Sequence, residues 1–283
     1  MLFTCDLDET LIYGARFLQD ENCLTKTKVR LIETKDGREI SYMTEEAISR
    51  LKALSKKILF VPVTTRTIEQ YKRITLFQKE IFPRYAIVSN GGTLLIGGKV
   101  DETWEALVKE KVRKNCLSYE EVLLKFKEIY SADWVVSQRR ADDLFYYFIV
   151  RQDCLPKEKL DSFMDWLKEN HWNAYLQRRK LYFIPSVINK GEAVEYLCDH
   201  ISPDFITAAG DSLMDLPMLQ KADYSITPLQ GELGRLYQDE DKESKIKITS
   251  DTGILAAEEI LKYIEDLNIA LEKNWHQVAE ETV

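Results

Sequence analysis

Histidine and paired cysteine are scarce in this chain, and this argues against a zinc site or a disulfide framework. The histidines His171, His200 and His276 have no spacing typical of metal ligands. The cysteines are odd in number and scattered, without a Cys-x-x-Cys pair, so the sequence predicts free thiols and a cytoplasmic location. They are Cys5, Cys23, Cys116, Cys154 and Cys198.

Long apolar runs and an excess of positive charge are absent as well. No apolar run approaches the roughly eighteen residues of a membrane-spanning helix, so we expect no membrane partner. The net charge of −8 argues against a nucleic-acid partner, since nucleic-acid surfaces are basic. With 45% hydrophobic and 30% charged residues, the 283-residue chain has the composition of a soluble globular protein with one large or two modest domains.

The first predicted strand and the acidic turn after it are the feature around which the remaining motifs are arranged. The mostly apolar segment 1–5 delivers the carboxylates of Asp6 and Asp8 to one strand end. Open α/β sheets bind their ligands at the carboxyl ends of strands, so this turn is a candidate site. The alternative is an acidic turn that caps the next helix. Because both carboxylates lie so close to the start, we expect no cleaved leader.

Strands and helices then alternate, a pattern typical of a parallel sheet. A buried strand over 57–63 stops at Thr64, and a helix is predicted over 68–80. Hydroxyl groups and helix-starting amides after a strand form a natural anion site, although they also serve as ordinary helix caps. A further strand over 85–89 leads into the tight turn Asn90-Gly-Gly92.

A β-hairpin interrupts this pattern. Alternating segments flank Asp36-Gly37, a dipeptide typical of two-residue hairpin turns, and predict a hairpin at about 26–43 that we call the flap. It would lie beside the acidic turn, or serve only as a surface hairpin. Thr44 is then expected to cap an amphipathic helix over 45–54.

Residues 100–186 have a different organisation, with hairpins and helices grouped separately. This indicates an α+β domain inserted into a core formed by 1–99 and 187–283, and we call residues 100–186 the insert. Helices are predicted at 102–115, 119–130 and 156–170, and strands at 134–137, 144–150, 172–176 and 180–184. Several basic side chains could bind an anionic or polyhydroxyl group, or could simply be solvated. They are Arg139, Arg140, Arg178, Arg179 and Lys180.

The parallel-sheet pattern resumes after the insert. Lys190 lies at the start of a predicted helix, and a strand over 204–210 ends in Gly210-Asp211, with Asp215 four residues later. A closing helix is predicted from about 253 to 271. Each charged position has an ordinary explanation as a cap, a turn or a solvated lysine. Their order, each at a strand or helix terminus, favours one shared site.

Four segments resemble the motifs of phosphatases of the haloacid dehalogenase (HAD) superfamily. Cys5-Asp-Leu-Asp-Glu-Thr10 matches the DxDx(T/V) motif, and Val63-Thr-Thr-Arg66 is similar to the Thr-Gly-Arg form of the second motif. Asn189-Lys-Gly191 resembles the third motif, and Gly210-Asp-Ser-Leu-Met-Asp215 resembles the fourth. The resemblance implies an α/β fold, with a Rossmann-like parallel-sheet core, an inserted α+β cap domain and a β-hairpin flap.

The position of the insert resembles that of the class IIB cap. This subgroup includes sucrose-phosphate, trehalose-phosphate and mannosyl-3-phosphoglycerate phosphatases, together with phosphomannomutase. Met214 departs from the subgroup's pattern, since many members have Asn before the last Asp of the fourth motif.

The resemblance implies roles for individual residues. Asp6 would be the nucleophile, Asp8 the general acid and base, and Thr64 and Lys190 the catalytic groups on the phosphoryl oxygens. Mg²⁺ would be the cofactor, because it takes oxygen ligands and neutralises phosphoryl charge. Its ligands would be Asp6, Asp8 through its carbonyl oxygen, Asp211 and Asp215. The expected substrate-binding residues are Thr65, Arg66, Asn90, Gly91 and Ser212.

We therefore expect a cytoplasmic, Mg²⁺-dependent phosphomonoesterase acting on a small phosphate ester, above all a sugar phosphate. A phosphomannomutase-like intramolecular phosphotransferase would share every motif and is the first alternative. A non-enzymatic scaffold or sensor that kept the fold is the second. The presence of Asp at position 8 favours hydrolytic turnover, since relatives that store the phosphate have Thr there. The sequence makes no prediction of the oligomeric state or of the leaving group.

Overall fold

The computed structural model describes residues 1–18, 27–238 and 245–281, with side chains described as far as residue 273. Residue 26 at the predicted start of the flap, Cys23 and the His276 side chain lie outside this part. Of the predicted free thiols, those of Cys5, Cys116, Cys154 and Cys198 are unpaired. Within the described residues, no helix has the length and apolarity to cross a membrane.

A parallel sheet of five strands forms the centre of the core, as the alternating pattern predicted. In spatial order its strands are β14 (Ile246–Ile248), β13 (Tyr224–Thr227), β12 (Ile206–Ala209), β1 (Leu2–Cys5) and β4 (Leu59–Pro62). Cys5 pairs with Ala209 on one side and with Pro62 on the other. The carboxyl ends of three strands therefore meet at the turn that carries Asp6.

Helices cover this sheet because their apolar faces need burial. Thr44 caps the first of them as predicted, since its hydroxyl accepts a hydrogen bond from the Ala47 amide (3.0 Å). The helices are α1 (Glu45–Leu54), α2 (Ile68–Lys72), α3 (Thr75–Lys79), α7 (Lys190–Ile201), α8 (Leu216–Lys221), α9 (Glu232–Gln238) and α10 (Ile254–Glu281).

The helix predicted over 68–80 is broken into α2 and α3. Ile74, at the break, forms an antiparallel bridge with Glu33 of the flap, and the Thr75 hydroxyl donates to the Ile32 carbonyl oxygen (2.8 Å). These contacts with a strand far away in the sequence replace the helical contacts that the local pattern predicted.

The flap is the predicted hairpin, formed by β2 (Val29–Lys35) and β3 (Arg38–Thr44). Asp36 and Gly37 both have positive φ (50° and 73°), as a two-residue turn between twisted strands requires.

The structure also contains antiparallel pairing that the sequence did not predict. β5 (Tyr85–Val88) pairs with β6 (Thr93–Ile96), which pairs with β7 (Lys99–Val100).

The insert has an antiparallel sheet with its own apolar cluster. In spatial order the strands are β10 (Trp172–Gln177), β11 (Lys180–Pro185), β9 (Phe145–Val150) and β8 (Val135–Ala141). Its helices are α4 (Glu102–Asn115), α5 (Tyr119–Phe126) and α6 (Lys157–Glu169). Phe126, Phe163 and Phe183 are central in the cluster, which is separate from the clusters around the parallel sheet. The domain boundaries at 99/100 and 186/187 stay predictions.

Candidate active site

Asp6 and Lys190 meet at the carboxyl edge of the parallel sheet. The Asp6 amide continues the β1–β12 ladder by donating to the Ala209 carbonyl oxygen (2.9 Å), so its side chain follows the strand end directly. Lys190 begins α7, which Asn189 caps by accepting from the Glu192 amide (2.9 Å). Lys190 Nζ lies 2.5 Å from Asp6 Oδ1 and also donates to Asp215 Oδ1. The lysine is buried between the two carboxylates.

The turn after β12 holds Asp215 in place by hydrogen bonds. Its Oδ2 atom accepts from the amides of Asp211 (3.1 Å) and Ser212 (2.9 Å), and from the Ser212 hydroxyl (2.8 Å). This turn requires glycine at position 210, because a Cβ there would lie 2.4 Å from Asp215 Cβ. Met214 is buried among apolar side chains. Both oxygens of Asp215 are therefore engaged within the protein.

Burial strongly affects the ionisation of two of the clustered carboxylates, Asp6 and Asp211. Burial raises the pKa of Asp6 to about 7 against the opposing attraction of Lys190. Burial and the neighbouring Asp215 raise the pKa of Asp211 well above its usual value. For Lys190, the two carboxylates outweigh burial and raise its pKa, so the ammonium stays charged. The cluster thus contains three carboxyl groups and a single lysine.

This donor set fits a magnesium ion. Asp6, Asp211 and Asp215 each offer a carboxylate oxygen, and these oxygens lie within 4.8 Å of one another. Hard oxygen donors are the ligands that Mg²⁺ prefers. Among the described residues, no hydrogen-bond donor contacts the Asp211 carboxylate, in contrast to that of Asp215. Asp211 is therefore the carboxylate best suited to direct coordination.

Asp8 has a different partner although it lies only two residues from Asp6. Arg66 binds its carboxylate with two hydrogen bonds, in which Nε donates to Oδ2 (2.7 Å) and Nη2 donates to Oδ1 (2.8 Å). The recessed position of Asp8 disfavours its charge, but Arg66 outweighs this effect and lowers the pKa of Asp8. The Asp8 side chain is still 49% exposed, so a ligand has access to it.

The flap supplies further partners of Arg66 that the sequence analysis missed. Glu33 Oε2 accepts from Arg66 Nη1 (2.7 Å) and from the Ser41 hydroxyl (2.8 Å). Arg73 Nε donates to Glu33 Oε1 (3.1 Å). The only signal in the sequence was the alternation of polar and apolar residues in the hairpin. This alternation is equally typical of a strand with one solvent-exposed face.

The other predicted site residues fall into two groups. Thr65 and Ser212 line the cleft beside Asp6 and Asp8. The Thr64 hydroxyl is buried and accepts from the Arg66 amide (3.2 Å). Its phosphate-binding role, like substrate binding by Arg66, stays a prediction.

Asn90 and Gly91 pack against the start of α7, away from the cleft lining. The Asn90 side-chain amide donates to the Ile188 carbonyl oxygen (3.3 Å), and a Cβ on Gly91 would lie 2.3 Å from the Asn189 carbonyl oxygen. Gly91 also has a φ of +97°, which favours glycine. The geometry supports a part in placing Lys190, whereas direct substrate binding by these two residues stays a prediction.

Core and insert together enclose a cleft of about 1130 Å³. Asp6, Asp8, Lys190 and Asp211 line it from the core. From the insert, the turn between β10 and β11 and the strands beside it contribute Leu176, Gln177, Arg178, Arg179, Lys180 and Tyr182. Arg178 forms an ion pair with Glu9, next to Asp8, and so joins the insert to the acidic turn. Arg139 and Arg140 are not part of this lining.

Comparisons with known proteins identify the family and the fold of this chain. A profile of the sucrose-6F-phosphate phosphohydrolase family matches residues 1–257. The fold is similar to that of the sucrose-phosphatase from Synechocystis sp. PCC6803, solved with sucrose and phosphate, at a TM-score of 0.67 and 15% sequence identity over 94% of this chain and 98% of that one. Among curated proteins no match was found.

Two further solved structures share the fold. BT1666 from Bacteroides thetaiotaomicron, a phosphatase of the HAD superfamily, has a TM-score of 0.55 and 15% identity over 95% of both chains. A trehalose-6-phosphate phosphatase related protein has a TM-score of 0.51 and 16% identity over 95% of this chain and 99% of that one. At these identities the structural likeness establishes the fold alone.

Proposed function

The chain belongs to the sucrose-6F-phosphate phosphohydrolase family of HAD phosphatases, and from this premise we propose that it hydrolyses a sugar phosphate through an aspartyl-phosphate on Asp6, with Mg²⁺ as cofactor. One observation carries the proposal. Lys190 Nζ lies 2.5 Å from Asp6 Oδ1, in a cluster where the oxygens of Asp6, Asp211 and Asp215 lie within 4.8 Å of one another. A carboxylate nucleophile, a fixed cation and a metal-binding donor set are what phosphoryl transfer requires.

In the first step, Asp6 attacks phosphorus, the bond from phosphorus to the sugar oxygen breaks, and Asp8 gives a proton to that oxygen. In the second step, Asp8 takes a proton from water, whose oxygen attacks phosphorus and releases Asp6. Pairing with Arg66 favours the ionised Asp8 that the second step needs. An arriving phosphoryl group is negative, raises the pKa of Asp8 and favours the protonated form for the first step.

Lys190 and the metal balance the negative charge. When bound, Mg²⁺ would neutralise phosphoryl oxygens so that the Asp6 carboxylate can approach phosphorus. Asp6 and Asp211 would hold the ion directly. Asp215 would act through a water molecule, because its Oδ2 atom already accepts three hydrogen bonds and its Oδ1 atom accepts one from Lys190. Coordination by the Asp8 carbonyl oxygen, and binding of phosphoryl oxygens by Thr64, are parts of the same proposal.

The size and charge of the cleft support a substrate larger than a phosphate ion. Its volume of about 1130 Å³ leaves room for a sugar beside the phosphoryl site. We propose that residues 100–186 form a lid and that Arg178, Arg179 and Lys180 face the sugar or its charge. Sucrose 6F-phosphate is the first substrate to test, given the family. The free thiols of the described cysteines fit the cytoplasm, which we propose as the location.

A phosphate-release screen tests the proposal. The purified protein is incubated with sucrose 6F-phosphate, trehalose 6-phosphate, hexose phosphates and nucleotides, first in EDTA and then with Mg²⁺ restored. We expect release from at least one sugar phosphate with Mg²⁺ and none in EDTA. Full activity in EDTA would remove the metal from the mechanism, and the absence of release from every sugar phosphate would refute the proposed substrate class.

A hexose bisphosphate separates hydrolysis from phosphotransfer. A hydrolase releases free phosphate, whereas an isomerised sugar phosphate without release would indicate the phosphomannomutase-like alternative. A scaffold or sensor would do neither, and its cellular phenotype would not change when Asp6 is replaced by Asn.

A further inference from the structure

A buried ion network joins the flap to the acidic turn. Glu33 on β2 is only 1% exposed, and its carboxylate contacts Arg66, Arg73 and Ser41. Arg66 contacts Asp8 with the other side of its guanidinium group. The buried carboxylate of Glu33 is thus paired with two arginines, and pairing is the condition under which buried charges are tolerated.

Every N–H donor of Arg66 has a partner within the protein. Its guanidinium has five N–H groups. They are matched by five contacts: Nε and Nη2 on the two oxygens of Asp8, Nη2 on the Ser41 hydroxyl, and Nη1 on Glu33 and the Gln70 carbonyl oxygen. Because every donor of the planar guanidinium is engaged, the group has one preferred orientation. In that orientation Nε and Nη2 face the Asp8 carboxylate.

The backbone of the flap is irregular at Glu33. The register of β2 against β3 shifts on both sides of this residue, between Leu31 and Glu33 and again between Glu33 and Thr34. Such bulges redirect a side chain out of the regular alternation. Glu33 is buried at this bulge, whereas Thr34 and Lys35 next to it are exposed.

We propose that Glu33 is a positioning residue that, through Arg66, orients the Asp8 carboxylate for proton transfer to and from the substrate. Glu33 contacts Arg66 Nη1, so it fixes the plane in which Nε and Nη2 face Asp8. The flap thereby becomes part of the acid–base apparatus. This inference rests on the proposed function, because it needs Asp8 to act on the leaving oxygen.

Leaving groups of different basicity provide the test. A sugar oxygen needs a proton as it leaves, whereas the oxygen of dinitrophenyl phosphate leaves without one. kcat/KM reports the first step, so misplacing the acid lowers it for the sugar phosphate alone. The test compares both substrates in wild-type protein, Glu33→Gln, Arg66→Lys and Glu80→Gln, with Mg²⁺ present and thermal unfolding as the check of folding.

Glu80→Gln is the matched control. Glu80 also ties the flap to the core, with Arg30 Nη1 2.9 Å from its Oε1 atom, but it does not contact Arg66. Arg66→Lys keeps the charge and loses the fork, so it is a second variant that tests the same link if Glu33→Gln does not fold.

We expect Glu33→Gln and Arg66→Lys to lower kcat/KM for the sugar phosphate by about tenfold or more, within the range of acid–base catalysis, and for dinitrophenyl phosphate by less than about threefold. Glu80→Gln should leave the ratio between the substrates unchanged. Equal losses on both substrates, or no loss, would overturn the positioning role while wild-type phosphate release still supports the proposed function. A wild-type protein that releases phosphate from no sugar phosphate would overturn both.

Discussion

Asp6 and Asp8 lie two residues apart and have opposite surroundings. Asp6 is 5% exposed, contacts Lys190, and has a pKa that burial raises to about 7. Asp8 has a half-exposed side chain held by Arg66, which overcomes the effect of its recessed position and lowers its pKa. The same residue type is therefore given two chemical characters by its neighbours.

The two sets of neighbours also come from different parts of the fold. Those of Asp6 come from α7 and from the turn after β12, both belonging to the parallel-sheet core. Those of Asp8 come from the turn after β4 and, through Arg66, from the flap. The environment of Asp6 is thus a product of sheet topology, whereas the environment of Asp8 depends on an added hairpin.

Replacing Asp6 by Asn should have the largest effect on activity, because an amide cannot form the proposed aspartyl-phosphate. We expect phosphate release to fall by about 10³-fold or more, as when a nucleophile is removed from other enzymes. Steady-state phosphate release with Mg²⁺ measures this. Asp199→Asn on the exposed face of α7 is the control and should retain wild-type activity. Asp6→Asn with a tenth of wild-type activity would contradict the assignment.

Asp8→Asn should affect turnover and spare the covalent step in part. We expect kcat for a sugar phosphate to fall by about 10²-fold, the scale of general acid–base catalysis. Acid-quenched intact-mass measurement should detect the phosphorylated protein in Asp8→Asn and not in Asp6→Asn. Detection of equal phosphorylation in both variants would show that the two carboxylates are not divided in this way.

The contrast between the raised pKa of Asp6 and the lowered pKa of Asp8 should be visible in how the stability of the metal-free protein depends on pH. The pKa of Asp6 is raised to about 7, so its stabilising contribution is complete below the unfolded pKa and is lost as pH rises through about 7. We expect thermal unfolding in EDTA to occur at lower temperature near about pH 8 than near about pH 6, and Mg²⁺ to reverse this. Asp6→Asn should reduce the difference; an unchanged difference would place its origin elsewhere.

The smallest expected effect concerns the contact between the insert and the acidic turn. Arg178→Gln removes the ion pair with Glu9, and an exposed pair is worth less than about 1 kcal/mol. We expect KM for the sugar phosphate to rise by about twofold to fivefold with little change in kcat. Arg139→Gln, an exposed arginine of the insert outside the cleft lining, is the matched control. A larger fall in kcat than rise in KM would indicate a catalytic part for Arg178.

Patterns of hydrophobicity and turn chemistry predicted the elements well where local contacts decide them. The Asp36-Gly37 turn, the Thr44 cap and the strands of the insert were all found in this way. The helix over 68–80 was wrong as one piece, because its break at Ile74 depends on a bridge to Glu33. The hairpin of β6 and β7 was missed, since its strands are short.

The sequence by itself determined the order of the strand ends and therefore the meeting of Asp6, Lys190, Asp211 and Asp215, because parallel strands bring their carboxyl ends to one edge. Only the tertiary structure decided that the guanidinium of Arg66 would be engaged by Asp8, Glu33, Ser41 and the Gln70 carbonyl oxygen. The physical reason is that these contacts join segments whose approach is set by packing and by a bulge, and neither has a period that a sequence pattern can reveal.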